Sequence, residues 1–503
     1  MSKQNSEIDI NLSSTKKQPN MLYLLSFIEM CERFGHYAMR GIVVLYMTKF
    51  LLFSNEKSYG IFAGFSALLF FSPFVGGYLA DKFIGTKRAI ILGGILLTLG
   101  YGLLAIPGTE YFYYALSLIV IGSGFFIPNM SGIIGQLYEK NDARRDGGYS
   151  IFYGAINLGA LIAPIVIASV VMRLGWNAGF ILAALGALLG TGIFYFSLWN
   201  VHPAGNQPPT NNQNFLMTLG VLMMIPIFAE MIKTPNLSNK IVFLLGTCFF
   251  LLAIKKSFGF SKVQRNCLLV CFFLTFFSII FETLLMQTAM SMTIFVENNV
   301  NRDFGFWHMP TIMFQSLNPI FIIFCAPFVS KVWLWLDAKN LNPSIPTKFA
   351  LGTMLMGFSF IILPFAILHS PTGKISFVWI ALSYLLQSLG ELLVSPVGMS
   401  MIAELSPPAM VGLMMGLWYF ATAVASSLAG IISQWTVVSS NDNAPIIMAP
   451  AYAHVFGLLG AVSIAAGLLI FLIIPKLKTI LSMKNHANEM TDVALSNLHV
   501  SSS

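Results

Sequence analysis

The chain has 503 residues, of which 56% are hydrophobic and only 10% charged, and it carries a formal net charge of +8. Soluble domains carry about 25% charged residues, so this composition excludes a water-soluble enzyme and describes a polytopic membrane protein. The positive balance is no nucleic-acid signal, because the basic residues lie in short loops between apolar runs and form no compact stripe with aromatics.

Residues 1–20 are polar, with Lys16 and Lys17 and no apolar core, and read as a tail rather than a cleaved signal peptide. Apolar runs of about 20 residues, enough to cross a bilayer as a helix, follow near 21–52, 59–80, 88–107, 112–137, 149–172 and 177–199. A Pro/Asn-rich connector from Val201 to Asn214 has no periodicity. Two further runs lie near 215–232 and 241–256, and six more near 266–296, 311–335, 348–368, 375–402, 409–437 and 450–475. The polar stretch after Pro475 reads as a disordered tail. The expectation is an all-α polytopic membrane protein with fourteen spans, read as six, two and six. Its units are an N-terminal tail (1–20), a six-helix bundle (21–199), a linker with two extra helices (200–265), a second bundle (266–475) and a C-terminal tail (476–503).

Counting loops alternately, nineteen of the 28 Lys and Arg residues fall on the side of the N-terminal tail and six on the other. The positive-inside rule then puts both termini in the cytoplasm. Three basic residues, Arg33, Arg40 and Lys49, stay within a span. Lys49 lies near the outer end of the first run and is expected to snorkel to the interface. The five cysteines all lie in apolar segments and are expected to be free thiols. No cysteine pair has zinc-ligand spacing with histidines nearby, so no metal site is expected.

The first run holds the densest chemistry. Glu29, Glu32, Arg33, His36 and Arg40 recur at spacings of three and four, which puts them on one stripe of an otherwise apolar helix. A charge at the bilayer centre costs about 2.5–3.5 kcal/mol even on lenient scales. Such a stripe must therefore face the inside of a bundle and pair there. It is either an ion-pair ladder that locks helices together or a path for protons or substrate. Gly77 to Arg88, which includes Asp81 and Lys82, follows the second run and resembles the loop between spans two and three of major facilitator superfamily transporters. Asp81 there could make a breakable contact with a neighbouring helix. Asn157 lies within the fifth run and needs a hydrogen-bond partner, either another helix or a substrate amide.

The pattern of Glu29, Glu32 and Arg33 followed by Phe34 and Tyr37 resembles the signature of proton-coupled oligopeptide transporters. So do Phe152-Tyr153 with Ile156-Asn157, Phe314 to Pro319, Gly390-Glu391-Leu392 with Ser395-Pro396, and Met414 to Trp418. The matches run from about residue 25 to 430. The resemblance implies a major facilitator fold of two six-helix bundles around a central cavity, with two inserted helices between them. It implies Glu391 as partner of a peptide amine, and Arg33 and Arg40 as partners of its carboxylate. Asn157, Asn318 and Ser395 would bind the peptide, and Trp418 and Tyr37 would line side-chain pockets. Core packing is the better default for Phe281. Glu29, Glu32, Arg33, His36 and Glu282 would couple protons, the only cofactor implied, and Asp81, Lys82 and Arg88 would gate. The expected setting is a plasma membrane, the inner membrane if the source is a Gram-negative bacterium, and the expected state a monomer.

The chain departs from the family pattern at four places. Ile127 stands where a lysine precedes Pro-Asn, His36 where the first of two tyrosines stands, and Phe70 where a tyrosine stands. Met286 stands where an acid precedes Gln287, with Glu282 about one turn earlier. His36 could stand in for the missing lysine or simply be a hydrogen-bonded histidine. These departures leave open a carrier for another small amphipathic molecule, or an exporter. A membrane-embedded enzyme is disfavoured, because the seven histidines are scattered and no two lie one helical turn apart.

Overall fold

The computed structural model describes residues 17–139, 142, 144–198, 211–438 and 444–501. Most of the N-terminal tail and the connector up to residue 210 lie outside the described residues. Six helices come first: α1 (Asn20–Lys49), α2 (Asn55–Leu79), α3 (Thr86–Leu104), α4 (Phe112–Gln136), α5 (Arg145–Leu174) and α6 (Trp176–Leu198). Two follow, α7 (Asn211–Lys233) and α8 (Pro235–Ser257). The remainder are α9 (Lys262–Met286), α10 (Ser291–Asn299), α11 (Leu317–Ala338), α12 (Ile345–Leu368), α13 (Phe377–Leu405), α14 (Pro408–Gln434) and α15 (Pro445–Ser501). α10 has nine residues and continues α9 past a 3-10 turn at Gln287–Ala289. The fourteen expected spans thus correspond to fourteen long helices. Among the described residues, twelve helices are long and apolar enough to cross a membrane. α1 runs for 30 residues, about 45 Å.

The core divides between two bundles. One apolar cluster is built mainly from α1 to α6 and includes Tyr46, Phe65, Tyr101, Phe126 and Phe180. The other is built from α9 to α15 and includes Phe281, Phe295, Phe360 and Tyr452. The two separate cores fit the expected arrangement of two helical bundles. Small residues let the helices approach within each bundle, as membrane packing requires. A Cβ added to Gly93 of α3 would lie 2.7 Å from the Gly122 carbonyl oxygen of α4. In the second bundle, one added to Gly352 of α12 would lie 2.8 Å from that of Gly390 on α13.

α7 and α8 pack outside the bundles. Ser117 of α4 donates to the Ile225 carbonyl of α7 at 2.8 Å. α8 lies along α2, where Pro235 and Ser238 pack against Gly60 and Gly64, and along α14, where Gly246 faces Phe420.

The end of the molecule at which α1 begins is the inner end here, and the opposite one the outer end. At the inner end, the residues before α1 are tied to the loop after α4. Tyr138 donates to Gln18 at 2.8 Å, and Arg144 donates to the Lys17 carbonyl at 2.9 Å. At the outer end, β1 (Val300–Asn301) and β2 (Ile375–Ser376) pair in parallel and join two loops of the second bundle.

One expectation fails. The stretch after Pro475 is read as disordered, but α15 carries a helical backbone to Ser501. Extending an existing helix adds a hydrogen bond for each residue fixed and needs no new nucleus, and residues such as Leu, Met, Lys and Ala suit it.

Candidate functional site

A cavity of about 250 Å³ lies between the two bundles. It is lined by Tyr37 and Arg40 of α1, Phe70 of α2, and Tyr153 and Asn157 of α5. The second bundle adds Glu282 and Met286 of α9, Asn318 of α11, Tyr384, Glu391 and Ser395 of α13, and Trp418 and Tyr419 of α14. Arg40, Asn157 and Glu391 fall well within their helices, so the cavity is at mid-depth, where repeat-based transporters hold substrate.

Glu391 is oriented by its neighbours. Asn318 donates to its carboxylate at 2.9 Å, and the same amide nitrogen lies 3.2 Å from Ser388 Oγ. Ser388 in turn donates to the Asn318 carbonyl at 3.3 Å. The acid is therefore held on a polar patch that joins α11 to α13. Asn157 donates to the Tyr153 carbonyl of its own helix at 3.0 Å and also meets the Tyr153 side chain, so both polar groups stand together at the cavity wall. Arg40 lies over the Tyr37 ring, 5.9 Å from its centroid, and no described carboxylate is within ion-pair distance of it. A guanidinium in this position is free to take a carboxylate. Trp418 fills the space beside Gly398 of α13, where any added Cβ would overlap its ring. Gly398 thus sets how closely that wall of the cavity approaches.

The α1 stripe splits in two. Arg40 reaches the cavity, together with its neighbour Tyr37. Glu29 and Glu32 are 2% and 1% exposed and both hold Arg33. Arg33 Nε is 3.2 Å from Glu29 and 2.5 Å from Glu32, and its Nη2 also meets Glu32. Arg33 does not line the cavity in this state. His36 is buried beside Tyr37, with ring centroids 5.2 Å apart edge to face, and it too is absent from the lining. Glu282 and Met286 both line the cavity, one turn apart. Phe281 is fully buried in the second core, the packing role preferred for it. Ile127 is partly buried on α4 and does not reach the cavity.

Asp81 and Lys82 lie in a π-helical turn, Ala80–Ile84, and Arg88 in the first turn of α3. All three are exposed at the inner end. Lys82 meets Tyr78 at 3.1 Å, while Asp81 and Arg88 have no ion-pair partner among the described residues.

The outer end carries a cluster that the sequence reading misses. Lys49, the last residue of α1, is ion-paired with Glu297 of α10. Thr311 hydrogen-bonds the other oxygen of that carboxylate, and Arg302 lies 3.4 Å from the first. Lys49 therefore joins the two bundles instead of snorkelling, because a fixed carboxylate is within its reach. Glu297 lies beyond the apolar span of α9. Burial alone would push its carboxyl up, but the hydrogen bonds from Lys49 and Thr311 and the charges of Arg302 and Lys49 hold it below the usual carboxylate range. The signal available was an acid just past an apolar run, on the side that Lys49 faces.

Tyr384, Ser388, Glu391 and Ser395 recur at helical spacing on α13, a stripe that periodicity alone could have revealed around Glu391. Gln287, the residue after Met286, is fully buried and donates to the Ala429 carbonyl at 3.1 Å, which clamps α9 to α14.

Residues 87–454 match the profile described as the POT family. The chain is 33% identical to dipeptide and tripeptide permease A of Escherichia coli (strain K12), over 92% of this chain and 93% of that protein. It is 31% identical to dipeptide and tripeptide permease B of Aliivibrio fischeri (strain MJ11), over 94% and 97% respectively. A mutant of a peptide transporter POT, solved in complex with alafosfalin, is similar with a TM-score of 0.82 at 31% identity, covering 93% of this chain and 96% of that one. A POT family transporter solved in complex with 5-aminolevulinic acid is similar with a TM-score of 0.80 at 29% identity, covering 92% and 98%.

Proposed function

This chain belongs to the POT family, and from that premise we propose that it is a proton-coupled symporter that imports di- and tripeptides by alternating access. The observation that carries the reading is the pairing across one cavity of a cation from the first bundle, Arg40, with an acid from the second, Glu391. A peptide zwitterion needs both. Its carboxylate meets the Arg40 guanidinium and its amine meets Glu391, so that binding draws the bundles together. Asn157, Asn318 and Ser395 hydrogen-bond the peptide backbone, and Tyr37 and Trp418 line the side-chain space. Binding termini and backbone more than side chains gives broad acceptance.

Proton coupling rests on carboxylates whose pairing a proton can change. Glu29 and Glu32 hold Arg33 out of the cavity. Protonating either one weakens that hold and frees the guanidinium toward substrate, a differential interaction of the kind that shifts a two-state equilibrium. Glu282 is a further acid in the cavity wall. His36 is a neighbour of this relay. Asp81, Lys82 and Arg88 gate the inner end, and the Lys49–Glu297 pair closes the outer one. The protein works as a monomer in a bacterial inner membrane with both termini in the cytoplasm, as the loop charges favour.

Uptake of labelled dialanine by proteoliposomes, with and without an inward proton gradient, tests this. Gradient-driven accumulation is expected, and its absence from folded protein would sink the peptide reading. The second reading is a smaller amino-acid-like substrate, favoured by the 5-aminolevulinic acid complex of a relative. It predicts uptake of that compound in place of dialanine.

A further inference from the structure

The charged side chains of the cavity do not balance for a simple dipeptide. They are one cation, Arg40, and two acids, Glu282 and Glu391. Arg33 is not among the lining residues and its charge is met by Glu29 and Glu32. Ile127 adds no cation. The titratable groups that share the cavity with Glu282 from the other helices are Tyr37 and Arg40, Tyr153, Tyr384 and Glu391, and Tyr419.

A zwitterionic peptide satisfies Glu391 with its amine and Arg40 with its carboxylate. Glu282 then remains. It is 7% exposed and has no ion pair within 4 Å among the described residues; the nearest opposite charge acting on it is Arg40, which the peptide carboxylate takes. A buried carboxylate without a partner is strongly unfavourable and must be met by a proton or a cation. Resting on the peptide reading above, we propose that Glu282 is the side-chain counter-charge of this cavity, so that its preferred substrates are peptides with one cationic side chain. A lysyl or arginyl group supplies the missing positive charge itself. A neutral peptide needs a proton on Glu282 in its place, and an acidic peptide adds a second unmet negative charge.

The walls fit such a side chain. Tyr37, Tyr384, Trp418 and Tyr419 give aromatic surface for an aliphatic stem and for a cation over a ring face. The cation then reaches an acid on α9, a helix separate from the Glu391 helix, so the peptide amine and the side-chain cation do not compete for one carboxylate.

The test is equilibrium binding of Ala-Lys, Lys-Ala, Ala-Ala and Ala-Glu to the purified full-length protein at neutral pH, for wild type and Glu282→Gln. In the wild type, the better of the two lysyl peptides is expected to bind about tenfold tighter than Ala-Ala, with Ala-Glu weakest. Glu282→Gln is expected to bring lysyl and neutral peptides to within about threefold of each other. A flat wild-type order, or one that Glu282→Gln leaves unchanged, overturns the proposal. If that variant is not recovered folded, the wild-type order alone decides. Dialanine binding without a lysyl preference sinks the role of Glu282 alone. No peptide binding at all sinks the peptide reading with it.

Discussion

Lys49 and Glu297 lie 248 residues apart in sequence, yet their ion pair joins α1 to α10 at the outer end of the molecule. The lysine is half-exposed, so the pair contributes about 1 kcal/mol or less. That is at most about fivefold in the ratio of outer-closed to outer-open molecules. Glu297→Gln should therefore raise the outer-open fraction. Spin labels at the exposed positions 57 and 303, one in each bundle, should show the longer distance gaining population.

The same acid gives a pH test. Its pKa is depressed in the paired state, so its stabilisation of the outer-closed form is present above the ordinary carboxylate value, about 4.3. It is lost only as pH falls through the depressed value. The contribution of this pair to the label distance should be constant from about pH 7 to 5 and fail only below about pH 4. Failure near pH 6 would mean that the carboxylate is not held by Lys49, Thr311 and Arg302.

At the substrate site, Glu391→Gln removes a charge that Asn318 orients. Losing one partner of a desolvated charge pair costs about 2–5 kcal/mol, so dialanine affinity should fall by about thirtyfold or more. Asn318→Ala should fall less, because the acid remains. Isothermal titration of both variants would show the order, and equal losses would argue against an amine at Glu391.

The buried triad should separate coupling from folding. Arg33→Ala leaves Glu29 and Glu32 buried without a cation and should cost about 3–5 kcal/mol of stability. Arg33→Lys should recover part of it. Glu32→Gln keeps one pairing, Arg33 to Glu29, and should preserve peptide exchange while abolishing accumulation against a gradient. Melting temperature and counterflow assays read these separately. A Glu32→Gln variant that still concentrates peptide would remove this residue from the coupling path.

Close helix crossing provides a purely structural control. A Cβ on Gly76 of α2 would overlap the Gly124 carbonyl of α4. Because backbone cannot yield as a side chain can, Gly76→Ala should destabilise by about 1–3 kcal/mol. Gly132, which has nothing within 4 Å of an added Cβ, should accept alanine with little change in melting temperature.

Much of this architecture is legible in the chain, because bilayer thickness and hydropathy fix span length and number. The α1 charges are legible for the same reason: nothing hides a charge in an apolar helix. Which of them face the cavity is not, since that depends on how α1 is rotated against α5 and α6. Arg33 and Arg40 share one helical face and lie only two turns apart, yet they end in different environments. The partner of Lys49, Glu297, is supplied by tertiary folding and leaves no local pattern in the chain. The α13 stripe of Tyr384, Ser388, Glu391 and Ser395 was readable by period but masked by the apolar run around it.

The seam between the bundles has two unlike edges. Along α2 and α14 it is covered by α8, which touches both helices. Along α5 and α11, where Ser316 donates to the Leu161 carbonyl at 3.0 Å, no helix covers it among the described residues. There Leu158, Ile162, Phe324 and Phe328 are exposed on the flank of the molecule. When the bundles rock, one edge exchanges protein for protein and the other exchanges protein for acyl chains. The energy of alternation therefore includes the packing of lipid tails on a single flank. Chain length and unsaturation of the host lipid should therefore alter the rate of alternation, which uptake into vesicles of different acyl composition would measure.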